Sequence, residues 1–173
     1  TRNPLILPDG TPQDATVYLA AVIKHPNIDV GAYTYAHDAR LLANWAETLA
    51  PYLYPGAPEY LSIGKFCQIA QGVKFITESA NHDMDGLSTY PFAVFDPARF
   101  GEYRKSLSRR RETVVGSDCW LGREAMILPG ARLGDGVIVG ARAVVGGDVP
   151  DYAIGAGNPA RVVRMRFSAE KIL

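Results

Sequence analysis

Two cysteines and three histidines in 173 residues leave little material for a disulfide framework or a metal centre. Cys67 and Cys119 carry no metal-ligand spacing, and no two of His25, His37 and His82 lie closer than twelve positions, which argues against a zinc site of the carbonic anhydrase kind. Unpaired thiols point to a reducing compartment, so the expected location is the cytoplasm. Lysine plus arginine equals aspartate plus glutamate at 18 each, so no basic field attracts nucleic acid. No apolar run approaches the roughly 20 residues a membrane helix needs, and no membrane partner is expected. Hydrophobic residues at 47% against 21% charged exclude disorder and fit one compact domain over residues 1–173. What the chain does have is glycine and proline in plenty, and their placement is regular.

From Val115 the sequence divides into hexads: Val115-Gly-Ser-Asp-Cys-Trp120, Leu121-Gly-Arg-Glu-Ala-Met126, Ile127-Leu-Pro-Gly-Ala-Arg132. Leu133-Gly-Asp-Gly-Val-Ile138, Val139-Gly-Ala-Arg-Ala-Val144 and Val145-Gly-Gly-Asp-Val-Pro150 follow. The same register appears upstream at Ile63–Gln68 and Ile69–Lys74, and weakly at Val30–Tyr35. Position one is always Val, Leu or Ile, position two is Gly in all of the six downstream hexads but one, and position five there is Cys, Ala or Val. Neither a helix nor an alternating strand has period six. A coil of three short strands joined by tight corners does, with one aliphatic side chain per face pointing inward. Position five is then small because it packs near a corner, and position two is Gly where the backbone turns or approaches the next coil. The chain therefore reads as an all-β solenoid whose coils stabilise one another in series. Cys67 and Cys119 fall at position five and read as buried core thiols. Trp120, at position six, points outward.

The repeat stops after Lys74 and resumes at Val115, so an excursion loop spans about residues 75–114. So long a departure from a rigid scaffold is expected to serve function. A second interruption, Ala36–Tyr60, opens with a helix-like run over Ala39–Leu49 and ends in the turn Tyr52-Leu-Tyr54-Pro-Gly. Ser168 is placed to cap a short C-terminal helix. His25 and His37 read as structural or exposed. His82 lies in Asn81-His-Asp-Met-Asp-Gly86, a polar loop beside the scaffold, where an imidazole can serve as proton acceptor.

Several segments closely resemble the xenobiotic acetyltransferases, the hexapeptide-repeat family of type B chloramphenicol and virginiamycin (streptogramin A) acetyltransferases. They are Asn27–Tyr35, Tyr52–Tyr54, Ile63-Gly-Lys-Phe-Cys-Gln-Ile-Ala, Ala80-Asn-His-Asp-Met-Asp-Gly-Leu-Ser-Thr-Tyr-Pro-Phe92 and Val149–Arg161. The resemblance, and not the periodicity, implies a left-handed parallel β-helix. It implies a homotrimer with sites between subunits, acetyl-CoA as donor, no metal, and a small-molecule acceptor with a free hydroxyl. It places the catalytic base at His82, on a loop reaching over the neighbouring subunit; the chemistry then calls for a backbone oxygen on the other imidazole nitrogen to fix the tautomer. The CoA contacts it implies are Trp120, Gly122, Gly140, Ala141, Gly157, Asn158 and Pro159; Arg161 and Arg164 are candidates for the CoA phosphates. Tyr33, Tyr35, Tyr52, Tyr54 and Asn81 are the expected acceptor-binding residues.

The chain departs from the family pattern at several points. Asp83 replaces a common basic residue, and Leu87 is an added residue. The segment Asp96–Glu112, with its Arg109–Arg111 run, lacks the usual lysine-glycine-aspartate lead into the next coil. These changes border the acceptor side, so a sugar or cell-envelope precursor is the alternative acceptor, and a non-catalytic scaffold the alternative role.

Overall fold

The computed structural model describes residues 2–101 and 112–171. The Arg109–Arg111 run lies outside the described residues. The chain enters through β1 (Thr16–Tyr18), the one-turn helix α1 (Leu19–Val22), β2 (Ile28–Val30) and β3 (Tyr35–His37). Helix α2 (Trp45–Leu49) precedes β4 (Leu61–Ile63), β5 (Gln68–Ile69) and β6 (Lys74–Phe75). After the excursion come β7 (Thr113–Val115), β8 (Trp120–Leu121), β9 (Met126–Ile127), β10 (Arg132–Leu133), β11 (Ile138–Val139), β12 (Val144–Val145) and β13 (Asp148–Val149). The hairpin β14 (Ala153–Gly157) and β15 (Ala160–Met165) ends the sheet structure.

These strands stack into three faces. One face runs β1-β3-β5-β8-β11-β14-β15, a second β13-β10-β7-β4-β2 and the third β12-β9-β6. Pairing is parallel from coil to coil, and antiparallel only where β1 meets β3 and β14 meets β15 among the described pairs. Period six is thus a three-sided solenoid: the two-residue strands β5, β6 and β8 through β12 are positions six and one of consecutive hexads, whereas β13 falls at positions four and five, with Val149 pairing to Leu133. The inward residue of each strand is buried, from Ile63 and Ile69 through Val115, Leu121, Ile127, Leu133, Val139 and Val145. Position five is buried too, at Cys67, Cys119, Ala125, Ala131, Val137 and Ala143.

The two corner positions divide the labour differently from the sequence reading, which let position two either turn the chain or approach its neighbour. The turn is made at position four. Tyr33, Phe66, Asp118, Glu124 and Arg142 all sit near φ +60°, as do the glycines Gly130 and Gly136 at the same place near +70°. A non-glycine residue in this region costs about 1–2 kcal/mol, so burial of the column inside must outweigh it. Position two is where coils touch. A Cβ on Gly31 would lie 2.6 Å from Gly64 C, one on Gly64 2.6 Å from Gly116 C, and one on Gly116 2.6 Å from Gly134 C. The exception, Leu128, belongs to another corner, where a Cβ on Gly146 would meet only the Leu128 Cδ1 at 3.4 Å.

Polar side chains stitch the same edge. Asp151 Oδ1 accepts from Asp135 N at 2.8 Å, Asp135 Oδ1 from Ser117 N at 2.6 Å, and Ser117 Oγ from Lys65 N at 3.2 Å. Position three thereby satisfies a corner N–H that the strands leave unpaired. Cys67 and Cys119 occupy neighbouring coils, fully buried, and their thiols donate to Gly116 O at 3.1 Å and Gly134 O at 3.2 Å. The hydrogen bond with Cys67, together with burial, pushes the Cys119 thiol up.

Two local expectations are corrected. Only Trp45–Leu49 of the run Ala39–Leu49 is α-helical, because Asn44 caps it, its Oδ1 accepting from Glu47 N at 3.2 Å, and Leu41 upstream has φ +52°. The C-terminal helix is a single 3₁₀ turn, Ala169–Lys171, within the described residues. Phe75 and Thr113 are strand residues, so the solenoid extends slightly into both ends of the expected excursion span of about residues 75–114.

Gly64→Ala is expected to destabilise the fold by about 3 kcal/mol, because backbone cannot yield to the new methyl; Gly146→Ala should cost well under 1 kcal/mol. Urea midpoints of the two variants check this. Neither thiol should react with Ellman's reagent in the native protein, and both should react once it is unfolded.

Candidate functional site

His82 follows a 3₁₀ turn, Glu78–Ala80, at the root of the excursion. Its ring is exposed, and Nδ1 lies 2.8 Å from Thr89 O. A carbonyl oxygen only accepts, so Nδ1 carries a proton, and in the neutral imidazole Nε2 keeps its lone pair. Seven residues separate the two partners, so this bond closes the segment 82–89 into a loop with the imidazole at its mouth. Asn81 is half-buried beside it, its N–H bonded to Glu78 O at 2.9 Å. The chain beyond carries a run of exposed apolar side chains: Met84, Leu87, Tyr90, Phe92 and Phe95. Tyr90 gathers Phe92 and Phe95 at ring separations of 4.6 and 5.6 Å.

Tyr33 and Tyr35 line a cleft of about 770 Å³ with Tyr18, Phe66, His37 and Asp118. Tyr33 projects from its left-handed corner and stacks on Phe66, one coil on, at 5.2 Å and 5° between planes. Tyr18 meets Tyr33 edge-on at 6.3 Å. That strained backbone is common to the corners at Asp118, Glu124 and Arg142, so it is architecture rather than a mark of the site. His37 is fastened to Thr16, Nδ1 to Oγ1 at 2.9 Å. Just beyond, Arg40 clamps Asp38 at 2.8 and 2.6 Å and holds that carboxyl below the usual carboxylate range.

Tyr52 and Tyr54 are half-exposed on the turn after α2 and are not part of this cleft. Tyr54 instead faces a separate cleft of about 510 Å³ with His25, Asn44 and Pro51. Lys74 ties this region to the solenoid by donating to Thr48 O, and burial pushes its ammonium down. Of the four predicted tyrosines, Tyr33 and Tyr35 thus line one cleft and Tyr54 another, while Tyr52 and His82 line neither.

The register across the largest face aligns further predicted residues. Tyr18, Tyr35, Gln68, Trp120, Ile138, Ile154 and Arg164 are successive partners across the strands. They form one outward row, with Trp120 51% exposed at its middle. At 4.7–4.9 Å per strand, Tyr35 and Arg164 are about 24 Å apart. The hairpin has a register shift: Ile154 faces Arg164 while Gly155 faces Val162, which leaves Val163 as the extra residue. This bulge places Arg161, opposite Ala156, and Arg164 on the same outer face although they are three apart. Gly157, Asn158 and Pro159 form the exposed tip of that hairpin, and Ala141 is exposed beside the Arg142 corner. Gly122 is needed by the fold itself, and Gly140 is tightly packed. A Cβ on Gly122 would meet Ala141 N at 2.7 Å, and one on Gly140 would meet Ala156 Cβ at 3.2 Å.

Sequence reasoning passed over Tyr18, His37 and Phe66. His37 shares a strand face with Tyr35 by simple alternation, and Phe66 holds the same hexad position as Tyr33; both signals were present. Among the described residues no cluster of His, Cys, Asp or Glu is arranged to hold a metal ion, and no helix is long and apolar enough to cross a membrane.

Comparison with known proteins places this geometry in a family. The family model "bacterial transferase hexapeptide (six repeats)" matches residues 112–147. A chloramphenicol acetyltransferase of Escherichia coli is 40% identical over 159 residues, 89% of this chain and 75% of that protein. The virginiamycin A acetyltransferase of Staphylococcus aureus is 39% identical over 153 residues, 87% of this chain and 68% of that protein. A solved hexapeptide-repeat acetyltransferase from Vibrio cholerae, 20% identical, superposes with a TM-score of 0.52 over 82% of this chain and 64% of its own. The solenoid is accordingly a left-handed parallel β-helix, and the chain belongs to the hexapeptide-repeat xenobiotic acetyltransferases, the family of the chloramphenicol and virginiamycin A acetyltransferases.

Proposed function

We propose that this protein transfers an acetyl group from acetyl-CoA to a free hydroxyl of an apolar antibiotic-class small molecule, such as chloramphenicol or a streptogramin A, with His82 as general base. The bond from His82 Nδ1–H to Thr89 O carries the reading, because it leaves Nε2 basic and exposed. An acceptor hydroxyl has a pKa far above neutrality and attacks a thioester slowly. Nε2 takes its proton as the oxygen attacks the acetyl carbonyl, then returns it to the departing CoA thiolate. Such assistance is worth about 10²–10⁴-fold; the rest comes from holding the two reactants in line and from donors aimed at the developing oxyanion. No covalent enzyme intermediate is needed, which suits two buried and inert thiols.

The acceptor is proposed to lie on Tyr33 and Tyr35, with Tyr52, Tyr54 and Asn81 completing the pocket. The aromatic cleft of Tyr18, Tyr33, Tyr35 and Phe66 suits a bulky apolar molecule better than a sugar, which supports the antibiotic class. The pantetheine arm is proposed to follow the outward row past Trp120, Gly122, Gly140 and Ala141 toward Gly157, Asn158 and Pro159. Arg161 and Arg164, brought to one face by the bulge, suit the CoA phosphates.

The active unit is proposed to be a homotrimer, each solenoid with its excursion acting as one domain. Two observations support it: His82 lines neither tyrosine cleft of its own protomer, and its loop exposes Met84, Leu87, Tyr90, Phe92 and Phe95 together. A neighbouring subunit would cover those side chains and bring His82 to a cleft. The reaction is assigned to the cytoplasm, which two unpaired thiols suit.

A thiol-release assay with acetyl-CoA and chloramphenicol, a streptogramin A or simple sugars tests the chemistry. Acceptor-dependent release is expected with an antibiotic and should fall at least about 10²-fold in His82→Ala; full activity in that variant would overturn the mechanism. Reaction with saccharides alone would overturn the acceptor class. Sedimentation equilibrium should give three chains per particle, and a monomer at micromolar concentration would refute the shared site.

A further inference from the structure

The loop that carries His82 leaves the solenoid over a buried polar seat. Ile76 still follows the strand ladder, its N–H donating to Ile127 O at 2.8 Å. Thr77 is 2% exposed, the 3₁₀ turn Glu78–Ala80 follows, and Asn81 and His82 come directly after it. Beneath this turn lies Glu59, from the segment entering β4, only 1% exposed. Its Oε1 accepts from Ser79 N at 2.8 Å. Glu59 is in turn held by Asn27, whose Nδ2 donates to Glu59 O at 3.0 Å and Ala57 O at 2.8 Å, while its Oδ1 accepts from Gly56 N at 3.2 Å. A chain of bonds thus runs from the first coil, through Asn27 and Glu59, to a residue three before the imidazole.

Stability alone gives a poor account of a carboxyl here. Among the described residues its other oxygen, Oε2, has no hydrogen-bond partner, and neither do the buried hydroxyls of Thr77 and Ser79. An under-satisfied buried carboxyl is costly, and apolar side chains fill the neighbouring inward places at Leu61 and Ile63. What Glu59 supplies that a hydrocarbon cannot is an acceptor for Ser79 N, a bond that fixes where the turn, and hence the next residues, begin. At its far end the loop is pinned by His82 Nδ1 on Thr89 O. Between these two ties lie only Ala80 and Asn81.

We propose that Glu59 is a positioning residue for the His82 base, holding the root of the excursion so that Nε2 meets the acceptor hydroxyl in line. This rests on the reading of His82 as general base. A displacement of about 1 Å at the imidazole is enough to cost up to about 10²-fold in rate.

Glu59→Met removes the acceptor at similar volume, and Glu59→Gln restores it through the amide oxygen. In Glu59→Met, kcat is expected to fall tenfold or more with the KM for acetyl-CoA within twofold of wild type; Glu59→Gln should recover kcat to within about threefold. By hydrogen exchange the Ser79 amide should exchange at least tenfold faster in Glu59→Met, with the Ile76 amide unchanged. Wild-type kcat in Glu59→Met, or no recovery in Glu59→Gln, overturns the proposal. So does a wild-type Ser79 amide that exchanges as fast as the amides of the exposed residues Asp83 and Met84, a result that needs no variant to fold. His82→Ala in the same assay separates the two ideas. If it stays active the base assignment fails; if it is dead while Glu59→Met is normal, only the positioning role fails.

Discussion

Everything in this molecule depends on how closely one coil can approach the next. Along one corner the backbones of Gly31, Gly64, Gly116 and Gly134 stand so near each other that a methyl group on any of the first three would lie 2.6 Å from a main-chain carbon. That spacing is set by strand hydrogen bonding, at 4.7–4.9 Å, and it cannot relax without breaking the ladders on all three faces. Given the approach, the rest follows: small residues at position five, aliphatic ones at position one, and left-handed residues at position four to close each corner. The acidic ladder of Asp151 and Asp135 continuing to Ser117 then satisfies the N–H groups exposed by turning so tightly.

The functional features are placed by that rigidity. A row such as Tyr35, Gln68, Trp120, Ile138, Ile154 and Arg164 is straight because each strand pairs in register with the next. Tyr33 stacks on Phe66 because equivalent corners in consecutive coils repeat in space. A solenoid offers a ruled surface on which side chains far apart in sequence recur at fixed intervals. The loop that bears His82 has no such rule, and it is held by individual bonds: Ser79 N to Glu59 at one end, and Nδ1 to Thr89 O at the other.

Much of this was legible in the sequence because period six has few physical solutions. Inward positions one and five and the outward Trp120 came from pattern alone. The backbone oxygen on the second imidazole nitrogen was expected from chemistry. Other features were hidden because they depend on tertiary geometry. Leu41 in the left-handed region, with Asn44 as cap, shortens the helix expected over Ala39–Leu49 to one turn. The bulge that unites Arg161 and Arg164 is a property of strand pairing, and no local signal marks it. Gly122 sits at a position the family resemblance assigns to CoA, yet the neighbouring coil already requires it. Glu59 looks like an ordinary charge in the chain, and its burial is visible only once the turn at Glu78–Ala80 lies over it.

The antiparallel strands at the two extremes of the largest face have a consequence for solubility. A stack of identical parallel coils presents at each end an open edge that could template another copy, and indefinite growth into a fibre is the hazard of such a design. Here β1 reverses against β3 at one end and β15 reverses against β14 at the other. A further parallel coil docking there would meet a strand of the wrong direction. At the second end it would also meet Arg161, Arg164 and the Arg166 that anchors to Asp118 at 3.1 Å. On this face the repeat is therefore closed at both described ends by strand polarity, and at one of them by charge as well.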